Sequence, residues 1–111
     1  MAPFTTVTET RPSDQGTCLR IHLIGAADFS NIASLTQALD VEVAARPARL
    51  ILNLSRLTFL DSAALKAILT AAARLHAAGG TLTVTSPTGQ AWRALQVTGA
   101  DAVLMPVPEA P

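Results

Sequence analysis

One change of period limits what this chain can fold into. Leu50, Leu52 and Leu54 alternate with Ile51 and Asn53, the pattern of a strand with one strongly buried face. From Leu65 onward the spacing switches, and Leu65, Ile68, Leu69, Ala72 and Leu75 recur at helical intervals. A short polar crossing, Ser55-Arg56, and a hydrophobic step, Leu57-Thr58-Phe59-Leu60, join the two patterns and lead into Asp61-Ser62. Asp61 and Ser62 therefore lie on the surface where a buried strand hands over to a helix start. The positive end of a helix dipole makes that a suitable place to add or remove an anion.

The flanking segments supply the rest of an α/β domain. Phe4 to Thr10, rich in Thr and Val, suits an edge strand, and Arg11 to Gly16 is dense in turn formers that connect it to the next strand as a hairpin. Thr17 to Ile24 alternates, with Leu19, Ile21 and Leu23 on one face and Cys18, Arg20 and His22 on the other, so that strand is half buried. Gly25 opens a turn, and Asp28, Ser30 or Asn31 can cap a helix whose apolar stripe is Ile32, Leu35, Ala38 and Leu39 and which ends at Arg46-Pro47. After the central helix, Gly79-Gly80 offers a left-handed cap, and Thr81 to Thr85 alternates with Leu82 and Val84 inward. Gln90 to Val97 reads as a short helix anchored by Trp92 and Leu95. Val103 to Met105 and Val107 read as a last strand before Pro106, Pro108 and Pro111.

The resulting order, β-β-α-β-α-β-α-β, requires right-handed crossovers and a mostly parallel sheet. Three alternating strands predict helices mainly on one face. The fold class is thus a single α/β domain with a four- to five-stranded mixed sheet. Functional residues of parallel sheets gather at the carboxyl ends of strands, which predicts that Asp28, Asp61 and Ser62 share one edge.

Composition narrows the function classes. At 111 residues the chain is one domain with room for one core. Zero net charge and 14% charged residues offer no basic face for nucleic acid or an anionic membrane. The apolar runs are shorter than the ~18 residues a membrane span needs, and MAPFTTVTET lacks the basic and apolar regions of a secretory signal. A lone cysteine, Cys18, fits a reducing cytoplasm. The expectation is a soluble cytoplasmic domain.

Catalysis finds little support. Ser62 as a nucleophile needs a base within hydrogen-bond reach, and His76 lies about 20 Å down the same helix at ~1.5 Å per residue. His22 falls in mid-strand on the opposite sheet face. Gly79-Gly80 precedes a strand rather than following one, so it is no phosphate-cradling loop. Two histidines and one cysteine, widely separated, make no zinc site. No catalytic, metal or cofactor-binding residue is expected. On physics alone Ser62 is an N-cap serine, and Asp28 and Asp61 are capping carboxylates. Ala64, Ala67, Ala71 and Ala78 align near Lys66, Thr70 and Arg74 as an outer helix face with few charges, which suits a docking partner as well as helix propensity.

The segment LNLSRLTFLDSAALKAILTAAARLHAAGGTLTV resembles the centre of STAS domains, the anti-sigma-factor antagonist family, whose signature is a strand followed by Asp-Ser-(Ser/Ala)-Gly-Leu. Gly25-Ala26-Ala27-Asp28 resembles the family's upstream Gly-Glu-Leu-Asp step, and Ala94 to Gly99 its late Leu-x-x-x-Gly step, so the resemblance spans residues 4–107. Ala63 stands where a second serine is common, and Ala64 where glycine is usual. The resemblance implies a STAS fold and a cytoplasmic bacterial regulator of sigma-factor-dependent transcription. Its partners are an anti-sigma factor with serine-kinase activity and a serine phosphatase. Ser62 is the implied phosphorylation site, and Asp28, Ser30, Asp61, Ser62, Ala63, Ala64, Lys66 and Ala67 are the implied partner contacts. Two other roles fit the same resemblance: a STAS subunit bracing the ATPase of an ABC-type lipid transporter, and a stressosome-like scaffold.

Overall fold

The computed structural model describes the backbone of residues 5–13 and 16–104 and the side chains of 16–104. A long antiparallel pair opens the domain: β1 (Thr5–Ser13) runs against β2 (Gly16–Ala27), with Thr5 opposite Ile24 and Ser13 opposite Gly16. A 3-10 turn at Phe29–Asn31 leads into α1 (Ile32–Ala44), followed by β3 (Arg49–Asn53) and β4 (Leu57–Leu60). Then come α2 (Ser62–Ala77), β5 (Thr81–Thr85), α3 (Gly89–Thr98) and α4 (Ala100–Leu104). The sheet order is β1-β2-β3-β5, with β4 pairing β2 off that path, and every pair except β1–β2 is parallel. This is the mixed, mostly parallel five-stranded sheet that the alternating segments predict.

One core holds it together. Leu19, Ile21 and Leu23 of β2, Leu50 and Leu52 of β3, and Leu82 and Val84 of β5 are buried with Leu35, Leu39 and Val43 of α1 and Leu65, Ile68 and Leu75 of α2. Leu95 of α3 and Leu104 of α4 join the same cluster. Among the described residues, helices α1 to α4 thus feed one apolar layer on one side of the sheet, the outcome expected when strands alternate. On the other side Cys18, Arg20 and His22 stay half buried. An Arg74–Asp40 ion pair ties α2 to α1 at the surface, a contribution of about 0.2–1 kcal/mol for so exposed a pair. Among the described residues, no helix is long and apolar enough to cross a membrane.

Two glycines are required by geometry. Gly25 sits inside β2 at φ 101°, where the β2–β4 register shifts between Gly25 and Ala26; an L-residue there would be strained. Gly80 follows the left-handed cap of α2, in which the Gly80 N–H bonds the Leu75 carbonyl at 2.9 Å. A Cβ on Gly80 would lie 2.5 Å from the Pro47 carbonyl oxygen, so a side chain there would push β5 away from the α1–β3 turn.

Several expectations need correction. The hydrophobic step Leu57–Leu60 is a strand in its own right, pairing with Gly25 to Ala27. Its burial pattern, inward only at Leu57 and Leu60, has no period of two to announce it. β1 continues through Arg11–Ser13, residues whose turn propensity yields to an unbroken ladder with β2. β2 likewise runs through Gly25 instead of turning there. The expected last strand is overturned at Val103 and Leu104, which are helical because Leu104 completes the core from α4; Met105 and Val107 lie outside the described residues. Leu95 anchors α3 as expected, but Trp92 is exposed and Ala91 takes its place as the second anchor.

Candidate functional site

Parallel pairing of β2 with β4 builds the site. Ala27 is registered against Leu60, so the residues that follow, Asp28 and Asp61, leave the sheet side by side. The Asp61 N–H donates to the Ala27 carbonyl at 3.1 Å and locks that exit. Asp61 is extended and forms the N-cap of α2: Oδ1 accepts from the Ala64 N–H at 2.9 Å. Its second oxygen reaches across the chain, and Oδ2 accepts from the Phe29 N–H, also at 2.9 Å. One carboxylate therefore satisfies an orphan helix donor and pins a turn 32 residues away.

The Asp28 turn is closed on itself as well. Asp28 Oδ1 accepts from the Ser30 N–H at 2.9 Å and from the Ser30 hydroxyl, while Asn31 Oδ1 accepts from the Asp28 N–H at 3.0 Å, a reciprocal capping box. Asn31 Nδ2 donates to the Ala26 carbonyl at 2.6 Å. Asp28 and Asp61 are thus both capping residues. Beneath them Gln90, at the start of α3, makes a bidentate pair with Leu60: its Oε1 accepts from the Leu60 N–H and its Nε2 donates to the Leu60 carbonyl, both at 2.8 Å. This side chain stands in for a neighbouring strand along the edge of β4.

Ser62 is the first residue of α2, not its cap, and it is exposed. With Asp61 supplying the cap, the serine hydroxyl is not committed to helix initiation. Lys66, one turn on, is exposed, and Ala63 and Ala67 are half buried. Ala64 is a correction: its side chain is 0% exposed and packs into the core, so it cannot touch a partner. Ala71, expected on the same outer face, is buried too. The expected stripe of Leu65, Ile68, Ala72 and Leu75 is buried, and the inward face is wider than expected, taking in Ala64 and Ala71 beside Ile68 and Leu75. Phe29 and Gln90 are site residues that the sequence reading missed. Phe29 is 77% exposed between two capping residues, and the partner of Gln90 is 30 positions away, so neither leaves a periodic signal.

A separate apolar groove of about 430 Å³ opens farther along α2, lined by Leu69, Ala72 and His76 with Leu82 of β5 and Val103 of α4. It begins two turns beyond Ser62.

A family model described as "Mlab, STAS domain" matches residues 10–106. The chain belongs to the STAS domain family. No curated protein sequence matches it significantly. Among solved structures, this STAS domain is similar to an anti-sigma factor antagonist from Mycobacterium paratuberculosis, at 26% identity and TM-score 0.78, covering 95% of this chain and 87% of that one. The unphosphorylated form of the anti-sigma factor antagonist SpoIIAA superposes with TM-score 0.71 at 19% identity, over 93% of this chain and 90% of that one. The phosphorylated form of the Bacillus SpoIIAA superposes at 0.66 with the same identity, over 93% of each chain. At that identity the SpoIIAA structures speak for the fold: one STAS architecture accommodates both states of that protein. Within this STAS domain, Asp61-Ser62 lies at the junction where β4 hands over to α2.

Proposed function

We propose that this STAS domain is an anti-sigma-factor antagonist that works by binding and is switched off by phosphorylation of Ser62. Its partner in this reading is an anti-sigma factor with serine-kinase activity; capture of that protein frees a sigma factor for transcription. The kinase transfers the γ-phosphoryl group of ATP to Ser62 Oγ. The new O–P bond forms as the bond to ADP breaks, and the hydroxyl proton passes to the kinase's base. A serine phosphatase returns Ser62 and inorganic phosphate by hydrolysis. Asp28, Ser30, Asp61, Ala63, Lys66 and Ala67 form the contact surface around that serine, in the cytoplasm.

The observation that carries this reading is the division of labour at the α2 start: Asp61 is the cap, and Ser62 is left exposed at the first helical position. A phosphate there gains from the helix dipole and adds about −1.5 to −2 charge, so the fold tolerates it. Its effect falls on docking, where a desolvated cluster of like charges opposes the partner. Incubation with candidate anti-sigma kinases and ATP, read by intact mass, tests the reading. One added phosphoryl group, lost in Ser62→Ala, is the expected result. A phosphoryl group retained in Ser62→Ala would move the acceptor elsewhere, with Thr58, exposed on β4, the first position to examine.

A further inference from the structure

Phe29 presents an unusual combination. Its side chain is 77% exposed, so apolar burial does not hold it, yet its backbone is tied across the domain by the Asp61 carboxylate. The Asp28–Asn31 capping box closes this turn on itself, and Asn31 ties it back to Ala26 of β2. The tie to α2 is thus a side-chain bond, Asp61 Oδ2 accepting from the Phe29 N–H, that fixes the Phe29 amide against the helix start.

We propose that Asp61 is a switchable tie: its carboxylate holds the Phe29 turn against the first turn of α2 while Ser62 is neutral, and negative charge placed on Ser62 releases that turn. The release rests on Ser62 being the modified residue; the tie itself does not. Both Asp61 oxygens are engaged, Oδ1 by the Ala64 N–H and Oδ2 by the Phe29 N–H. An anion on the next residue repels that carboxylate and competes for the donors at the helix N-terminus. The two bonds are not equally able to resist. The Ala64 bond lies within the helix and is reinforced by the dipole, whereas the Phe29 bond is exposed and joins separate segments. The Phe29 bond yields first. Asp61 thereby acts as a positioning residue, converting charge on α2 into mobility of an aromatic side chain beside it.

Amide hydrogen exchange, followed residue by residue by NMR on the full chain, tests this without any partner. In the wild type the Phe29 amide is protected, and in Asp61→Ala it loses that protection. In Ser62→Asp it exchanges about tenfold faster than in the wild type, while the amides of β3 keep their rates. Ser62→Asn, of nearly the same size but neutral, leaves Phe29 protected. Salt near 1 M, which shortens screening to about 3 Å, narrows the gap between the Asp variant and the wild type. Equal Phe29 exchange in wild type and Ser62→Asp overturns the release, and so does equally fast exchange in Ser62→Asn. Exchange in the wild type as fast as in Asp61→Ala removes the tie altogether. None of these outcomes bears on whether a kinase modifies Ser62, which intact mass reports separately.

Discussion

The Asp61 carboxylate accepts the Phe29 N–H at 2.9 Å, joining the exit of β4 to the turn that follows β2. The same side chain caps α2 through Ala64. The candidate switch serine is therefore next to a residue on which two structural elements converge, and substitutions at 61 and at 62 have different expected signatures.

Asp61→Ala removes both bonds at once. The loss of an N-cap alone costs about 0.5–2 kcal/mol, and the Phe29 amide loses its acceptor as well. Destabilisation of about 1–3 kcal/mol in urea unfolding is the expected result. A cost indistinguishable from zero would mean that water replaces both contacts in solution.

Ser62→Ala, by contrast, changes stability by no more than about 0.5 kcal/mol, because the cap belongs to Asp61. Treating Ser62 as the cap predicts a loss nearer 1 kcal/mol. Thermal melts of the two variants side by side separate these assignments.

Ser62→Asp places a carboxylate in the first turn of α2, where the dipole favours it, so the melting temperature holds or rises slightly. Binding to the anti-sigma partner weakens, since a third carboxylate joins Asp28 and Asp61. Calorimetry against a candidate anti-sigma factor reads this directly. Full-strength binding by both the Asp variant and genuinely phosphorylated protein would favour the transporter-subunit role, in which the surface around Ser62 is a constant brace.

Gln90→Ala leaves the Leu60 N–H and carbonyl without their side-chain partner, at a cost of about 1–2 kcal/mol. Gln90→Glu is expected to be no better, since a carboxylate would then face the Leu60 carbonyl. Chemical denaturation of the pair checks whether the clamp depends on both the donor and the acceptor of the amide.

Ile68→Ala tests the core beneath the site. Ile68 is fully buried on the inward stripe of α2, and its truncation should cost about 2–5 kcal/mol. Lys66→Ala, on the exposed side of the same turn, should change stability by less than about 0.5 kcal/mol. Equal costs would mean that α2 does not pack as described.

The sequence by itself determined the period switch from Leu50 to Leu75, the half-buried alternation of β2 and the helical stripes. Each is a local pattern dictated by which face must leave water. Those patterns were enough for an α/β domain with helices on one side, and for Asp28 and Asp61 as residues that follow strands. Only the tertiary structure decided the rest. β4 is a strand because β2 continues through Gly25 and offers it an edge, a pairing between segments some thirty residues apart. Asp61 rather than Ser62 caps α2, and Ala64 is buried beside the expected stripe, because how wide a helix face is covered depends on what packs against it. Val103 and Leu104 are helical because the last buried position of the core lies under α4. Phe29 and Gln90 enter the site through bonds to Asp61 and Leu60, partners that lie far away in the chain and have no periodic relation to them. Local burial is written in the order of residues, whereas the choice among competing hydrogen-bond partners is made only when distant segments meet.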